Sequence, residues 1–388
     1  MKKDTLLVHK GRHPEDHHGI VNPPVYHAST VTSPTLAGYE AKNEKPFEGV
    51  SYGRTGTPTT FALEEAVTAL QGGHRTIAVS SGLAAISTTL LALLKAGDHV
   101  LVADNVYGPT RVRAADGLLA RAGVETTYFD PAQSISGLVR PETRVVFFES
   151  PGSLTFEMLD VDKLSAEAKD AGALAVMDNT WASPLFFQPL AHGVDVAIEA
   201  ATKYISGHAD LMLGTVTVST AEHFQQIKWT ANALGHSAAP DDCYLALRGL
   251  RTLSVRLERH YRNALKLAEW IRGRSEVERV LYPALEDDPG HVLWKRDFSG
   301  ASGLFGVILK DCSKKALAAM LDGLELFPLG DSWGGYESLI IPAHPEKIRT
   351  ATQWTEAGPT LRIHAGLEDP DDLIEDLEKG LDRLTGTV

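Results

Sequence analysis

VDVAIEAATKYISGHAD, residues 194–210, is the stretch on which the reading of this chain turns. An apolar run climbs to Glu199. It then gives way to small residues, Lys203, Tyr204 and a polar turn containing Gly207. A lysine just past a buried strand is either a solvated strand-end charge or an amine kept for chemistry. The surrounding sequence repeats the pattern. RTIAVSSG (75–82), HVLVADNVYG (99–108), TRVVFFESPGS (143–153) and ALAVMDNT (173–180) are each an apolar run with a polar end. Helical patterns lie between them, as in PTTFALEEAVTALQGG (58–73) and LAAISTTLLALLKAG (83–97). Strands alternating with helices predict an α/β fold with a mostly parallel sheet. Unbroken apolar runs suit strands buried on both faces.

Outward from this core the texture changes twice. Residues 1–55 show little periodicity and many Pro, Gly and Thr residues, which predicts an extended arm. Beyond residue 250 come a long amphipathic helix (254–273), two strand-like runs (275–283 and 302–310) and two further helices (312–324 and 369–384). The expected organisation is an arm over 1–55, a large α/β domain over 56–250 and a smaller α+β domain over 251–388. With 43% apolar and 22% charged residues in 388, a sizeable core is available. A net charge of -13 argues against nucleic acid and anionic membranes as partners. Cys243 and Cys312 are the only cysteines, so no disulfide framework and no paired-cysteine metal site is expected. His13, His17 and His18 fit a solvated terminus better than a metal site. The N-terminal residues lack an apolar signal core, and no apolar run reaches the roughly 18 residues of a membrane span. These features together predict a cytoplasmic protein.

In an open parallel sheet, ligands bind beyond the carboxyl ends of the strands. The polar residues gathered there are Ser80 to Gly82, Asn105 to Tyr107, Glu149-Ser150, Asp178-Asn179 and Thr202-Lys203. SSGLAA (80–85) between strand and helix suits a phosphate, because helix-start N–H groups and the helix dipole both favour an anion. Asp178 could cap the next segment or hold a protonated ring nitrogen. Tyr107 could stack on a planar ligand or simply pack. A desolvated Lys203 would be a nucleophile toward an aldehyde. Taken singly these signals are weak. Taken together they describe a pyridoxal 5′-phosphate site.

The sequence resembles the Cys/Met-metabolism pyridoxal-phosphate enzymes of fold type I almost end to end. The stretches that carry the likeness are YGR (52–54), SSGLAA (80–85), DNT (178–180), ATKYISGH (201–208), RGLRTL (248–253), SWGGYES (332–338) and LRIHAGLE (361–368). The resemblance implies an aspartate-aminotransferase-like fold. It makes Lys203 the lysine that carries the cofactor and the catalytic base, with Tyr107 as second catalytic group and ring-stacking partner. Asp178 would pair with the pyridine nitrogen, while Gly82, Leu83 and Thr202 bind the phosphate. Tyr52 and Arg54 would reach the neighbouring subunit's site, which implies a homo-oligomer, usually a tetramer. Arg362 would bind the substrate carboxylate, with Ser332, Trp333 and Tyr52 also facing the substrate. No metal is implied.

The finer likeness is to the bacterial members that cleave L-cystathionine by β-elimination in methionine biosynthesis. It is carried by residues 294–305, the ESPGS turn (149–153) and Trp333. Ala200 fits that branch, since γ-acting relatives often have a serine there; Asp331 departs from its pattern. A γ-acting enzyme, a broader cysteine-conjugate or cystine lyase, and a silent cofactor-binding protein are the alternatives.

Overall fold

The computed structural model describes residues 1–44 and 47–386. Seven strands form the larger sheet: β1 (Arg75–Val79), β2 (His99–Ala103), β3 (Glu125–Phe129), β4 (Thr143–Glu149), β5 (Leu174–Asp178), β6 (Val196–Glu199) and β7 (Gly214–Val218). Their order is β1-β7-β6-β5-β4-β2-β3. Only β7 runs against its neighbours; it is antiparallel to both β1 and β6. β2, β6 and β7 are buried along their whole length, as expected of strands covered on both faces.

The reversed β7 is the feature that places the site. A parallel return from β6 would need a crossover helix on one face. Instead, residues 200–213 leave the carboxyl end of β6 and re-enter at the same sheet edge. Lys203 is therefore confined to the rim. Its backbone is fixed from two sides. Thr202 N–H donates to the Leu213 carbonyl at 3.1 Å, and the Thr202 hydroxyl bridges the Leu213 carbonyl and N–H at 3.1 and 2.9 Å. Ala201, Tyr204 and Ile205 are buried in an apolar cluster with the helices Pro58–Gln71 and Pro240–Leu250. Gly214 opens β7 beneath the Ser81 carbonyl, where a Cβ would come within 2.2 Å of that oxygen.

The smaller sheet is wholly antiparallel. It comprises β8 (Val277–Leu281), β9 (Leu304–Leu309), β10 (Leu339–Ala343) and β11 (Thr360–His364), in the order β10-β11-β9-β8. The helix Leu253–Ile271 precedes it and buries Leu257, Ala264, Leu267 and Ile271 on one face. One continuous apolar core runs through both sheets.

The expectation of an extended N-terminal arm is corrected. Lys3–His9 and Leu36–Glu44 are helices. Leu7 is only 2% exposed, Arg251 donates to the Leu7 and Lys10 carbonyls at 2.6 and 2.7 Å, and His13 bonds Glu65 at 2.8 Å. The helix Lys3–His9 is too short to show a periodicity, and packing alone stabilises it.

Asp104 joins the two sheets' surroundings. It lies one residue past β2 and accepts from the N–H groups of Thr350, Ala351 and Thr352, from the Thr352 hydroxyl and from Arg111 at 2.8 Å. Burial acts to raise its pKa, but these donors outweigh that effect and hold it at about 2. Its stabilising contribution is present above the ordinary carboxylate pKa and is lost as pH falls toward about 2. Asp104→Ala leaves Arg111 buried without its partner. It should destabilise the protein by about 3–5 kcal/mol, measured by denaturant unfolding. A loss below about 1 kcal/mol would refute this account.

Candidate active site

A cavity of about 640 Å³ opens beyond the carboxyl ends of the strands of the larger sheet. It receives Gly82 and Leu83 from the turn after β1, Tyr107 from beyond β2, Asp178 from the end of β5, and Thr202 and Lys203 from the β6–β7 connection. Asp331, Ser332, Trp333 and Arg362 close it from the side of the smaller sheet.

The helix Gly82–Leu93 starts at the cavity wall. Ser81 caps it, accepting from Ala84 N–H at 3.0 Å, and the Ser81 carbonyl accepts from Ala85 N–H. Among the described residues, the N–H groups of Gly82 and Leu83 have no protein acceptor. Two free donors at the positive end of a twelve-residue helix make an anion site.

Three acids end three neighbouring strands: Glu149 on β4, Asp178 on β5 and Glu199 on β6. Burial pushes all three above the ordinary carboxylate range, and the Asp178 charge pushes Glu149 and Glu199 further. Asp178 is the one best provided for as an anion. Its Oδ1 accepts from the Thr180 N–H at 3.0 Å and hydroxyl at 2.5 Å, and the Lys203 charge acts in the same direction. Its Oδ2 has no donor among the described residues. Glu149 accepts the Tyr107 N–H at 2.7 Å and so anchors the loop that carries the ring. Glu199 accepts from Asn179 and Gln71 at 2.9 and 3.2 Å. In the sequence Glu149 and Glu199 are strand ends with no assigned role. An acid closing an otherwise apolar run was the available signal.

Burial, then the nearby Arg362 charge, lowers the Lys203 pKa to about 8. Its Nζ donates to Ser332 Oγ at 2.5 Å and lies 5.2 Å from the Trp333 ring centre. Arg362 donates to the Ser332 carbonyl at 2.8 Å, and its other N–H groups have no acceptor among the described residues. Burial lowers its pKa to about 10, so it stays charged at neutral pH. Burial, then Asp178, raises the Tyr107 phenol, so it remains protonated there.

The loop that presents Ser332 and Trp333 is under strain. Ser332 has φ +75°, a left-handed conformation that costs a non-glycine residue roughly 1–3 kcal/mol. His364, on β11 and missed in the sequence, holds the loop in place. Its Nε2 accepts Gly334 N–H at 3.2 Å, and its Nδ1–H donates to the Glu337 carbonyl at 3.0 Å. Burial keeps the ring neutral, which both bonds require. Gly334 sits so close that a Cβ there would come within 3.0 Å of the Lys203 backbone.

A family model described as Cys/Met metabolism PLP-dependent enzyme matches residues 4–382. The chain belongs to this family. A relative from Rhizobium johnstonii, described as a putative cystathionine beta-lyase, is 50% identical over 97% of this chain and 95% of its own. An L-alanine/L-glutamate racemase from Wolbachia pipientis wMel is 40% identical over 99% of this chain and 98% of its own. The crystal structure of cystathionine gamma synthase from Xanthomonas oryzae pv. oryzae, in complex with aminoacrylate and cysteine, superposes with a TM-score of 0.90 at 34% identity. That match covers both chains completely. The fold is therefore that of the PLP-dependent Cys/Met-metabolism enzymes, and pyridoxal 5′-phosphate is the cofactor.

The cavity of this family member fits the cofactor on its own chemistry. The free N–H pair at Gly82 and Leu83 suits the phosphate, the open Oδ2 of Asp178 suits a ring N–H, and Lys203 suits the aldehyde carbon. Thr202 lines the cavity, but its proton is committed to the Leu213 carbonyl. Trp181 is buried, donates its indole N–H to the Leu304 carbonyl at 2.9 Å and forms part of the cavity wall. Tyr52 and Arg54 are not brought to the cavity of their own chain. Tyr52 is 45% exposed, and Arg54 donates to the Asn232 carbonyl at 2.7 Å beside a separate cleft.

Proposed function

We propose that the chain is a cystathionine β-lyase, cleaving L-cystathionine to homocysteine, pyruvate and ammonia. When bound, the cofactor supplies an electron sink for the bond that breaks at Cα. The residues of this chain do the rest. Arg362 binds the substrate carboxylate through its free N–H groups, a match for a planar two-oxygen acceptor. Lys203, with its pKa near 8, is partly free base at neutral pH and takes the α-proton. Asp178, whose Oδ1 already accepts two bonds from Thr180, would hold the ring proton through its open Oδ2. The leaving sulfur takes a proton from Lys203 or from the protonated Tyr107. The released three-carbon enamine hydrolyses in water to pyruvate and ammonia.

The observation that carries this reading is the seat of Trp333. It packs on Tyr204 with ring centres 5.3 Å apart and stands 5.2 Å from the Lys203 amine. γ-Elimination requires the same amine to reach Cβ for a second proton. Trp333 and the bond to Ser332 restrict that swing. The highest-identity relative reported above carries the same description of activity.

Incubation with L-cystathionine should give pyruvate and homocysteine in equal amounts. Production of 2-oxobutyrate with cysteine would replace this reading by a γ-lyase. Production of D-alanine from L-alanine, with no keto acid from L-cystathionine, would replace it by a racemase.

In this reading the active unit is a homo-oligomer, a dimer of dimers. Tyr52 and Arg54, solvent-facing on their own chain, serve the neighbouring site, and residues 1–55 form the contacting arm. None of the helices among the described residues is long and apolar enough to cross a membrane. A cytoplasmic location accompanies the proposal.

A further inference from the structure

Tyr107 is central to the proposed function, yet its own side chain is loosely held. The residue is 44% exposed, and its hydroxyl has no hydrogen-bond partner among the described residues. The place of the ring is therefore set by the backbone of residues 104–107. One support is the bond from Tyr107 N–H to Glu149. The others come from the connection between β10 and β11. Thr350, Ala351 and Thr352 in that connection donate to Asp104, at the start of the loop.

Arg349 supports the next residue, Asn105, through an acid. Its two Nη groups donate to the two carboxylate oxygens of Glu157 at 2.9 and 2.6 Å. It also donates to the Thr155 hydroxyl, which itself donates to Glu157 at 2.8 Å. Asn105 Nδ2 donates to the same carboxylate at 3.2 Å, and the Asn105 carbonyl accepts Ser153 N–H at 2.8 Å. One guanidinium thus fixes the carboxylate on which Asn105 rests, two residues before Tyr107. The fork matters here, because a bidentate pair sets orientation as well as distance.

The segment that carries Glu157 does not take its shape unaided. Leu154 and Phe156 have φ +67° and +57°, left-handed values that non-glycine residues avoid. Such a conformation persists only where surrounding contacts impose it. Gly152 packs against Asn105 so closely that a Cβ there would come within 2.1 Å of Nδ2. Arg349 is well placed to impose the shape. Its side chain is only 5% exposed, and its guanidinium lies 5.5 Å from the Trp354 ring centre. It does not line the cavity, and nothing in the chemistry above uses it.

We propose that Arg349 is a positioning residue for Tyr107: through Glu157 and Asn105 it sets the 104–107 loop, and with it the place of the ring in the cavity. This rests on the role given to Tyr107 in the proposed function. Arg349 acts only through that ring, so its effect disappears where the ring is absent.

The test is a double-mutant cycle of wild type, Arg349→Gln, Tyr107→Ala and the double variant. Three quantities are read: kcat for pyruvate from L-cystathionine, the visible circular dichroism of the bound cofactor, and the affinity of the apo form for pyridoxal phosphate. Arg349→Gln should lower kcat about tenfold, since a displacement on the order of 1 Å can cost about 10²-fold. It should also weaken the visible dichroism and the affinity. In the Tyr107→Ala background the same substitution should change each readout by less than about twofold. Glu157→Gln keeps the shape of a side chain that is 38% exposed, and it should reproduce Arg349→Gln in both backgrounds. It carries the cycle if Arg349→Gln does not fold, with far-ultraviolet circular dichroism as the check on folding. Effects of equal size in both backgrounds would make Arg349 merely structural and overturn the inference, as would wild-type values in folded Arg349→Gln and Glu157→Gln. If Tyr107→Ala alone leaves kcat, dichroism and affinity at wild-type values, the role given to Tyr107 fails, and this inference with it. Dichroism and affinity decide the matter even if L-cystathionine is not the substrate.

Discussion

Lys203→Ala should give a folded protein that has lost at least about 10⁴-fold in kcat and can be freed of its cofactor by dialysis. General acid–base catalysis by a positioned group is worth about 10²–10⁴-fold, and in the proposed function the same amine is also the covalent anchor. The fold should survive because the segment is held by the Thr202–Leu213 bonds and by the burial of Tyr204 and Ile205, none of which involves the Lys203 side chain. The substitution also removes an amine whose charged form is disfavoured by burial. The unfolded chain holds that proton more tightly than the folded one. The apo wild type therefore gains stability as pH rises from about 8 toward the ordinary lysine value, and the variant lacks that gain. The same titration governs attachment. The rate at which apo wild type captures pyridoxal phosphate should rise with pH and level off above about 8, when the amine is free base. Absorbance of the bound cofactor and the intact mass after borohydride reduction read this directly. A variant that retains reducible attachment, or more than about 1% of wild-type turnover, would remove Lys203 from both roles.

Much of this site is legible in one dimension because a parallel sheet sorts its residues. Each strand delivers the polar residues at its carboxyl end to the same rim, so Gly82, Tyr107, Asp178 and Lys203 can be collected before any distance is known. The reversed β7 broke no expectation about the rim, but its five residues, GTVTV, look like any buried strand, and direction leaves no mark on composition. His364 was invisible for a different reason. It shares a face of β11 with Arg362, two residues earlier, as one more polar residue of a half-apolar strand, and its double bond to the 334–337 loop exists only in three dimensions. The arm's first helix, Lys3–His9, is fixed by contacts with Arg251 and the helix Pro58–Gln71, far away in sequence. Tyr52 and Arg54 mark the opposite limit. Their family motif is plain in the sequence, and a single chain gives them nothing to act on.

Asp178→Asn tests whether the acid at the end of β5 works by charge or by shape. The amide oxygen can still accept both Thr180 donors, so the local turn should persist. What changes is the second atom. Oδ2, which lacks a donor among the described residues, becomes an NH₂ group that can give a hydrogen bond but cannot hold a ring proton. Covalent attachment through Lys203 and loading of the cavity should remain, whereas kcat/KM for L-cystathionine should fall about 10²–10³-fold, the usual effect of removing one preorganised electrostatic partner from a water-poor site. Loss of the Asp178 charge also relieves Glu149 and Glu199, whose carboxyls it now drives upward. The variant should thus keep its stability within about 1 kcal/mol at neutral pH, since one buried anion has been removed from among three acids. The measurements are steady-state kinetics alongside cofactor absorbance and thermal unfolding of the same preparation. If activity stays within threefold of wild type while the cofactor remains loaded, the ring proton is not held by Asp178, and the electron sink must be tuned by another residue of the cavity.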